Sequence, residues 1–153
     1  MQRKLFLLAV CIAITFCGAS AQQSGNPKKS VLPERFTADL RYIYPMGYPS
    51  HPISDYTFEM RGDTVDIHLP YVGTVYNPYA GDDWLTFRNP FTDLKREITK
   101  KGAERITFKT TRGGYTYYFT ITAFDNGKID IDLQFSNAQS CSYSGTWTKI
   151  DNP

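Results

Sequence analysis

Apolar and polar residues alternate with a period of two through most of the chain from Phe36 to Trp147, and that pattern points to antiparallel strands with one face buried. Phe36, Ala38, Leu40, Tyr42 and Tyr44 share one face of a first strand. Tyr56, Phe58 and Met60 line a second, and Val65, Ile67 and Leu69 a third. A two-residue turn at Gly62-Asp63 sets Met60 opposite Val65, Phe58 opposite Ile67 and Tyr56 opposite Leu69, so that apolar side chains meet across one face. The same turn explains Arg61-Gly62-Asp63, which spells an integrin-recognition tripeptide: a type II′ turn needs glycine at its first central position.

In the C-terminal half, Asn126-Gly127 reads as a two-residue type I′ hairpin, with Phe124 opposite Ile129, Thr122 opposite Ile131, Thr120 opposite Leu133 and Tyr118 opposite Phe135. A two-residue turn at Gly113-Gly114 would then leave Ile106 and Phe108 on the wrong face, because a slip of one residue flips a whole strand. A three-residue bulged turn over Arg112 to Gly114 restores agreement. In that register Tyr115, Tyr117, Phe119 and Ile121 form an aromatic outer face beside Lys109, Asp130, Asp132 and Gln134. The last strand places Cys141, Tyr143, Gly145 and Trp147 inward and Ser140, Ser142, Ser144, Thr146 and Thr148 outward.

Residues 92–101 carry a cap at Thr92, Leu94 and Ile98 four apart, late lysines and Gly102, which is the spacing of a short helix. The fold expected is all-β: a single antiparallel meander of about 8–10 strands forming a barrel or a flattened sandwich.

Ahead of this domain, Arg3 and Lys4 precede an apolar run from Leu5 to Phe16 and then Ala19-Ser20-Ala21. This predicts a signal peptide over residues 1–21, a flexible leader over 22–34 and one β domain over 35–150. The run is shorter than the ~20 residues a membrane helix needs, so no integral span is expected after cleavage near Ala21. Export to the periplasm or beyond follows. Phe16 before Cys17 and Val10 before Cys11 do not suit a lipoprotein signal.

Cleavage removes two of the 17 basic residues and leaves 15 against 15 acidic ones. A chain of that balance has no electrostatic footprint for nucleic acid. Cys141 remains as the single cysteine, so no internal disulfide forms, and it reads as a small buried hydrophobe.

No reactive constellation stands out, and no catalytic residue, metal site or cofactor is predicted. His51 lies among loop prolines and His68 on the outward register of the third strand, and nothing in the sequence pairs His68 with Cys141. In "DNGKIDID" a calcium loop with Gly127 sixth would put Thr122 and Phe124 where oxygen ligands are needed. Asp130 and Asp132, and Glu59 and Asp66, read as solvated faces. The remaining signal is aromatic. Between two strands, "LPYVGTVYNPYAGDDW" carries Tyr71, Tyr76, Tyr79 and Trp84 on a corner that Pro70 and Gly73 keep from being regular strand. Such a corner offers rings with wet polar tips to a ligand or partner.

"LPYVGTVY", the hairpin at Asn126-Gly127 and the terminal "SYSG" at Ser142 to Gly145 together resemble the Bacteroidetes envelope proteins grouped as domain of unknown function 4251, over about residues 36–148. The resemblance implies a compact exported β domain without an assigned activity. It also implies a strand at Lys95 to Thr99, which we follow over the helical spacing. Where such proteins tend to have an arginine before the final strand, this chain has Asn137, Gln139 and Ser140. The expected function is a non-enzymatic module that binds a small molecule or an envelope protein. Its surface would be the corner (Tyr71, Tyr76, Tyr79, Trp84) or the aromatic face of Tyr117 and Phe119, which would also suit a homo-oligomer. An unrecognised hydrolase, and a structural or inhibitory partner of another envelope protein, are the alternatives.

Overall fold

Each alternating stretch becomes a strand in the computed structural model, which describes residues 29–76 and 85–151. The elements are β1 (Arg35–Pro45), β2 (His51–Arg61), β3 (Thr64–His68), β4 (Thr86–Pro90), β5 (Thr92–Ile98), β6 (Glu104–Arg112), β7 (Tyr115–Ala123), β8 (Lys128–Phe135) and β9 (Cys141–Lys149). Among the described residues there is no helix. The nine strands form one antiparallel sheet in the order β4-β3-β2-β1-β9-β8-β7-β6-β5.

That order is a meander whose first and last strands pair, so the sheet curls into a nearly closed barrel with its seam at β4 and β5. Across the seam Asn89 Nδ2 donates to Thr111 O at 2.8 Å, Thr110 Oγ1 to Pro90 O at 2.8 Å, and Arg112 Nη1 to Thr86 O at 3.0 Å. The inward residues of every strand but β5 fill the interior. At its centre the Phe58 ring lies 5.7 Å from Phe119 and 6.1 Å from Phe36, and Phe108 stacks on Phe119 at 5.0 Å.

The first hairpin has the expected register, with Phe58 opposite Ile67 and Met60 opposite Val65. Gly62 takes φ 62° at the turn. The C-terminal hairpins have the expected turns interchanged. Gly113 and Gly114, at φ 59° and 83°, make a two-residue turn that pairs Arg112 with Tyr115, Phe108 with Phe119 and Ile106 with Ile121. The three-residue bulged loop is instead Asp125 to Gly127. Gly127 N–H donates to Phe124 O, Phe124 N–H to Lys128 O, and Gly127 alone is left-handed, at φ 82°, which is a type I turn followed by a glycine bulge.

The slip reverses β7. Tyr117 and Phe119 are 1% exposed and Ile121 is fully buried, whereas Tyr118 is 50% exposed. The expected outer aromatic face is core.

A second correction concerns β1, whose register shifts between Leu40 and Tyr42 on both neighbours. The extra residue of this bulge changes the phase. Phe36, Ala38 and Leu40 point inward and are followed by Ile43, while Tyr42 and Tyr44 turn outward. The stretch over 92–101 holds strand β5, as the resemblance implied, and not a helix. Tertiary pairing with β6 overrides its helical spacing. His51 opens β2 and does not sit in a loop.

The expected leader is not free at its C-terminal end. Leu32 is 2% exposed in the core, and the Glu104 carboxylate accepts hydrogen bonds from Ser30 Oγ, Val31 N–H and Leu32 N–H at 2.7–2.9 Å. Arg96 Nε completes the set 3.2 Å away. A charge 2% exposed is tolerated there because it is paired and hydrogen-bonded.

Candidate functional site

At the Pro-Tyr corner the chain leaves β3 and is sewn to the segment before β9. Val75 bridges Ala138, Tyr76 N–H donates to Asn137 O at 2.7 Å, and Gln139 N–H to Thr74 O at 3.0 Å. The Tyr71 hydroxyl donates towards Gln139 O at 3.0 Å, and its ring meets Phe135 edge-on at 5.3 Å. Burial, with the Cys141 thiol adding to it, pushes the Tyr71 hydroxyl up to about 12. A Cβ on Gly73 would lie 2.5 Å from the Tyr71 hydroxyl, so glycine is what lets that ring lie flat against the corner. Tyr71 is therefore tied into the framework. Tyr76, 69% exposed, presents its ring outward, and Tyr79 and Trp84 lie outside the described residues.

Beneath the corner, Tyr143 donates to Pro70 O at 2.8 Å. Tyr143 and Cys141 are each 1% exposed. Burial raises both groups, the phenol well above its ordinary value. A thiol kept protonated in this way is a poor nucleophile. His68 is on the opposite side of the wall, outside, with Nδ1 3.0 Å from Thr86 Oγ1 and its ring against Tyr56 at 5.2 Å. The barrel wall keeps Cys141 and His68 apart.

A concavity lies elsewhere, on the outer wall where β1, β9, β8 and β7 run side by side: an open groove of about 740 Å³. The β1 bulge creates its aromatic side by turning Tyr42 and Tyr44 outward, 49% and 45% exposed. Across from them β9 contributes Ser142 and Ser144, paired on β8 with Asp132 and Asp130. Tyr44 Oη lies 3.2 Å from Ser144 Oγ, which orients the ring across the floor, and Ser142 Oγ donates to Asp132 Oδ1 at 2.6 Å. Arg41 and Lys128 stand at the flanks, Arg41 ion-paired with Asp39. Partial desolvation against the wall, then repulsion from Asp132, raises the Asp130 carboxyl from its ordinary value although the residue is exposed. Among the described residues no cluster of three or more ligating side chains could hold a metal.

The groove was hidden in the sequence because Tyr42 and Tyr44 alternate in phase with Leu40. The signal that could have exposed it is Ile43, whose place three residues after Leu40 is out of step with the strand's period.

The family described as Domain of unknown function (DUF4251) matches residues 19–147. The chain belongs to the DUF4251 family. No curated protein matches it. Among solved structures it resembles a DUF4251 family protein from Bacteroides eggerthii, at 10% identity with a TM-score of 0.55, covering 76% of this chain and 80% of that one. At that identity the likeness speaks for the fold alone. The family description assigns no activity.

Proposed function

We propose that this DUF4251 chain is an exported, non-enzymatic binding domain whose ligand surface is the outer groove between β1 and β8. The observation that carries the reading is the contrast between a barrel interior occupied by packed aromatic and aliphatic side chains and an outer wall that holds a groove with two half-exposed tyrosines. Rings exposed over a polar floor bring area and orientation to a ligand at little entropic cost. Export rests on the N-terminal apolar run and the Ala19-Ser20-Ala21 site.

A hydrolase is the second reading, favoured by the carboxylate pair of Asp130 and Asp132, of which Asp130 is raised. Glycosidases place their two carboxyl groups on either side of the scissile bond. Here both project from one strand in one direction, two residues apart, so both approach a ligand from the same side. Binding fits that arrangement and bond cleavage does not.

The test is a backbone-resolved NMR screen of the exported chain against a small-molecule fragment library. Binders should shift the amides of Ser142, Ser144 and Asp132 and leave those of Thr74 and Tyr76 in place. Hits confined to the corner, or none at the groove, would overturn the assignment.

A further inference from the structure

The side chains of the groove define the chemistry of what it would hold. Resting on the binding reading above, we infer that the groove takes a neutral saccharide, either a short oligosaccharide or an exposed stretch of a larger glycan.

Three observations converge on this class. The floor consists of hydroxyl side chains, Ser142 and Ser144 with Thr122 beside them, and a hydroxyl can donate or accept as its rotor requires. That suits a ligand covered in hydroxyl groups, which present both roles at every ring position. Next to this floor the Asp130 carboxylate is exposed and lines the groove. A ligand hydroxyl can donate to it in place of water, in a charge-assisted hydrogen bond. Asp132, already engaged by Ser142, keeps lone pairs for a second. Finally, Tyr42 and Tyr44 project two residues apart on one face, so their rings stand roughly 7 Å from one another along the strand, a run of apolar surface against which the C–H faces of sugar rings can lie.

Charge narrows the class further. Arg41 and Lys128 balance Asp130 and Asp132 along the groove, and Arg41 is already paired with Asp39. An anionic ligand would meet the two carboxylates, and a cation would find no third ligating side chain. A neutral polyhydroxylated ligand meets neither difficulty.

The probes are sets of neutral oligosaccharides, β-1,4- and α-1,4-linked glucans, xylans and mannans of several lengths, titrated into the exported chain by calorimetry and NMR. The corresponding insoluble polysaccharides serve in parallel for co-sedimentation. Binding of a free oligosaccharide assigns the ligand as soluble, whereas co-sedimentation with only the polymer assigns it as part of a larger glycan. At least one probe should bind with shifts at Ser142, Ser144 and Asp132. Tyr44→Ala should weaken it about tenfold, Asp130→Asn should also weaken it, and Tyr76→Ala should leave it unchanged. Retention of the dispersed NMR spectrum shows that each variant is folded, and Tyr44→Phe, which keeps the ring, should retain most of the affinity.

If fragments bind the groove but no neutral saccharide does, the saccharide assignment fails while the binding reading stands. If nothing binds the groove, both fail. Saccharide binding that survives Tyr44→Ala and Asp130→Asn but is lost in Tyr76→Ala would move the site to the corner and overturn the inference.

Discussion

Where β1 meets β9 the barrel is joined by a backbone ladder, from Phe36 opposite Lys149 to Pro45 opposite Cys141, with one bulge between Leu40 and Tyr42. Where β4 meets β6 it is joined by side chains reaching across to carbonyls. The first joint brings the two backbones so close that Gly145 admits no Cβ, since one built there would lie 2.0 Å from Asp39 O. The second is bordered by the most exposed strand, β5, which pairs with β6. The difference separates two tasks. The ladder with its bulge holds the groove in a fixed shape, and the seam only closes the interior.

Gly145→Ala should therefore produce the largest effect. A methyl group forced against backbone cannot be relieved by a rotamer change, and overpacking of that kind costs about 3 kcal/mol. Urea unfolding would show it as a lower midpoint at unchanged slope. At the seam, Thr110→Val keeps the shape of a residue 2% exposed but leaves Pro90 O without its donor. The expected loss is about 1–2 kcal/mol, with faster amide hydrogen exchange in β4 and β5 and little change in β1 and β9. If the seam variant proves the more damaging, the ranking of the two joints is reversed.

The smallest effect is a pH dependence confined to one side. Tyr71, Cys141 and Tyr143 all sit under the corner by β9, and all have raised pKa values through burial. A raised acid favours the folded state while it is protonated. This contribution is complete below the ordinary values of 9.0 for the thiol and 10.0 for the phenols, and is lost as pH climbs towards the folded value of about 12 at Tyr71. The stability midpoint should fall between about pH 9 and pH 12, with corner amides exchanging before those of the seam. A flat profile over that window would detach these groups from the β9 joint.

Most of the strand pattern could be read from the sequence, because inward residues such as Phe58, Met60, Val65 and Ile67 have polar neighbours on the other phase. The turns of the C-terminal half could not be told apart for a definite reason. Strand β7 carries apolar residues on both faces, Tyr115, Tyr117, Phe119 and Ile121 on one and Tyr118 on the other. Alternation then requires that one of the two hairpins has an odd loop without showing which. Only the three-dimensional register decides that it is Asp125 to Gly127. The groove was less legible still. Its tyrosines are amphipathic and suit either side of a wall, and the single residue that turns them outward leaves no mark except the misplaced Ile43. Glu104 was also missed, since nothing in its neighbourhood shows that three donors from residues 30–32 are waiting for it.

In kinetic terms, the ladder between β1 and β9 joins the two ends of the domain, with Ile150 N–H reaching Arg35 O, while every other ladder joins strands adjacent in sequence. Two local meanders, β1 to β4 and β5 to β9, can therefore form quickly and independently. Closing them together requires the chain between Pro45 and Cys141, nearly a hundred residues, to be drawn shut, and long-range pairing of that kind is slow. The groove lies across that closure, so its tyrosines meet its serines only once that long-range pairing has formed.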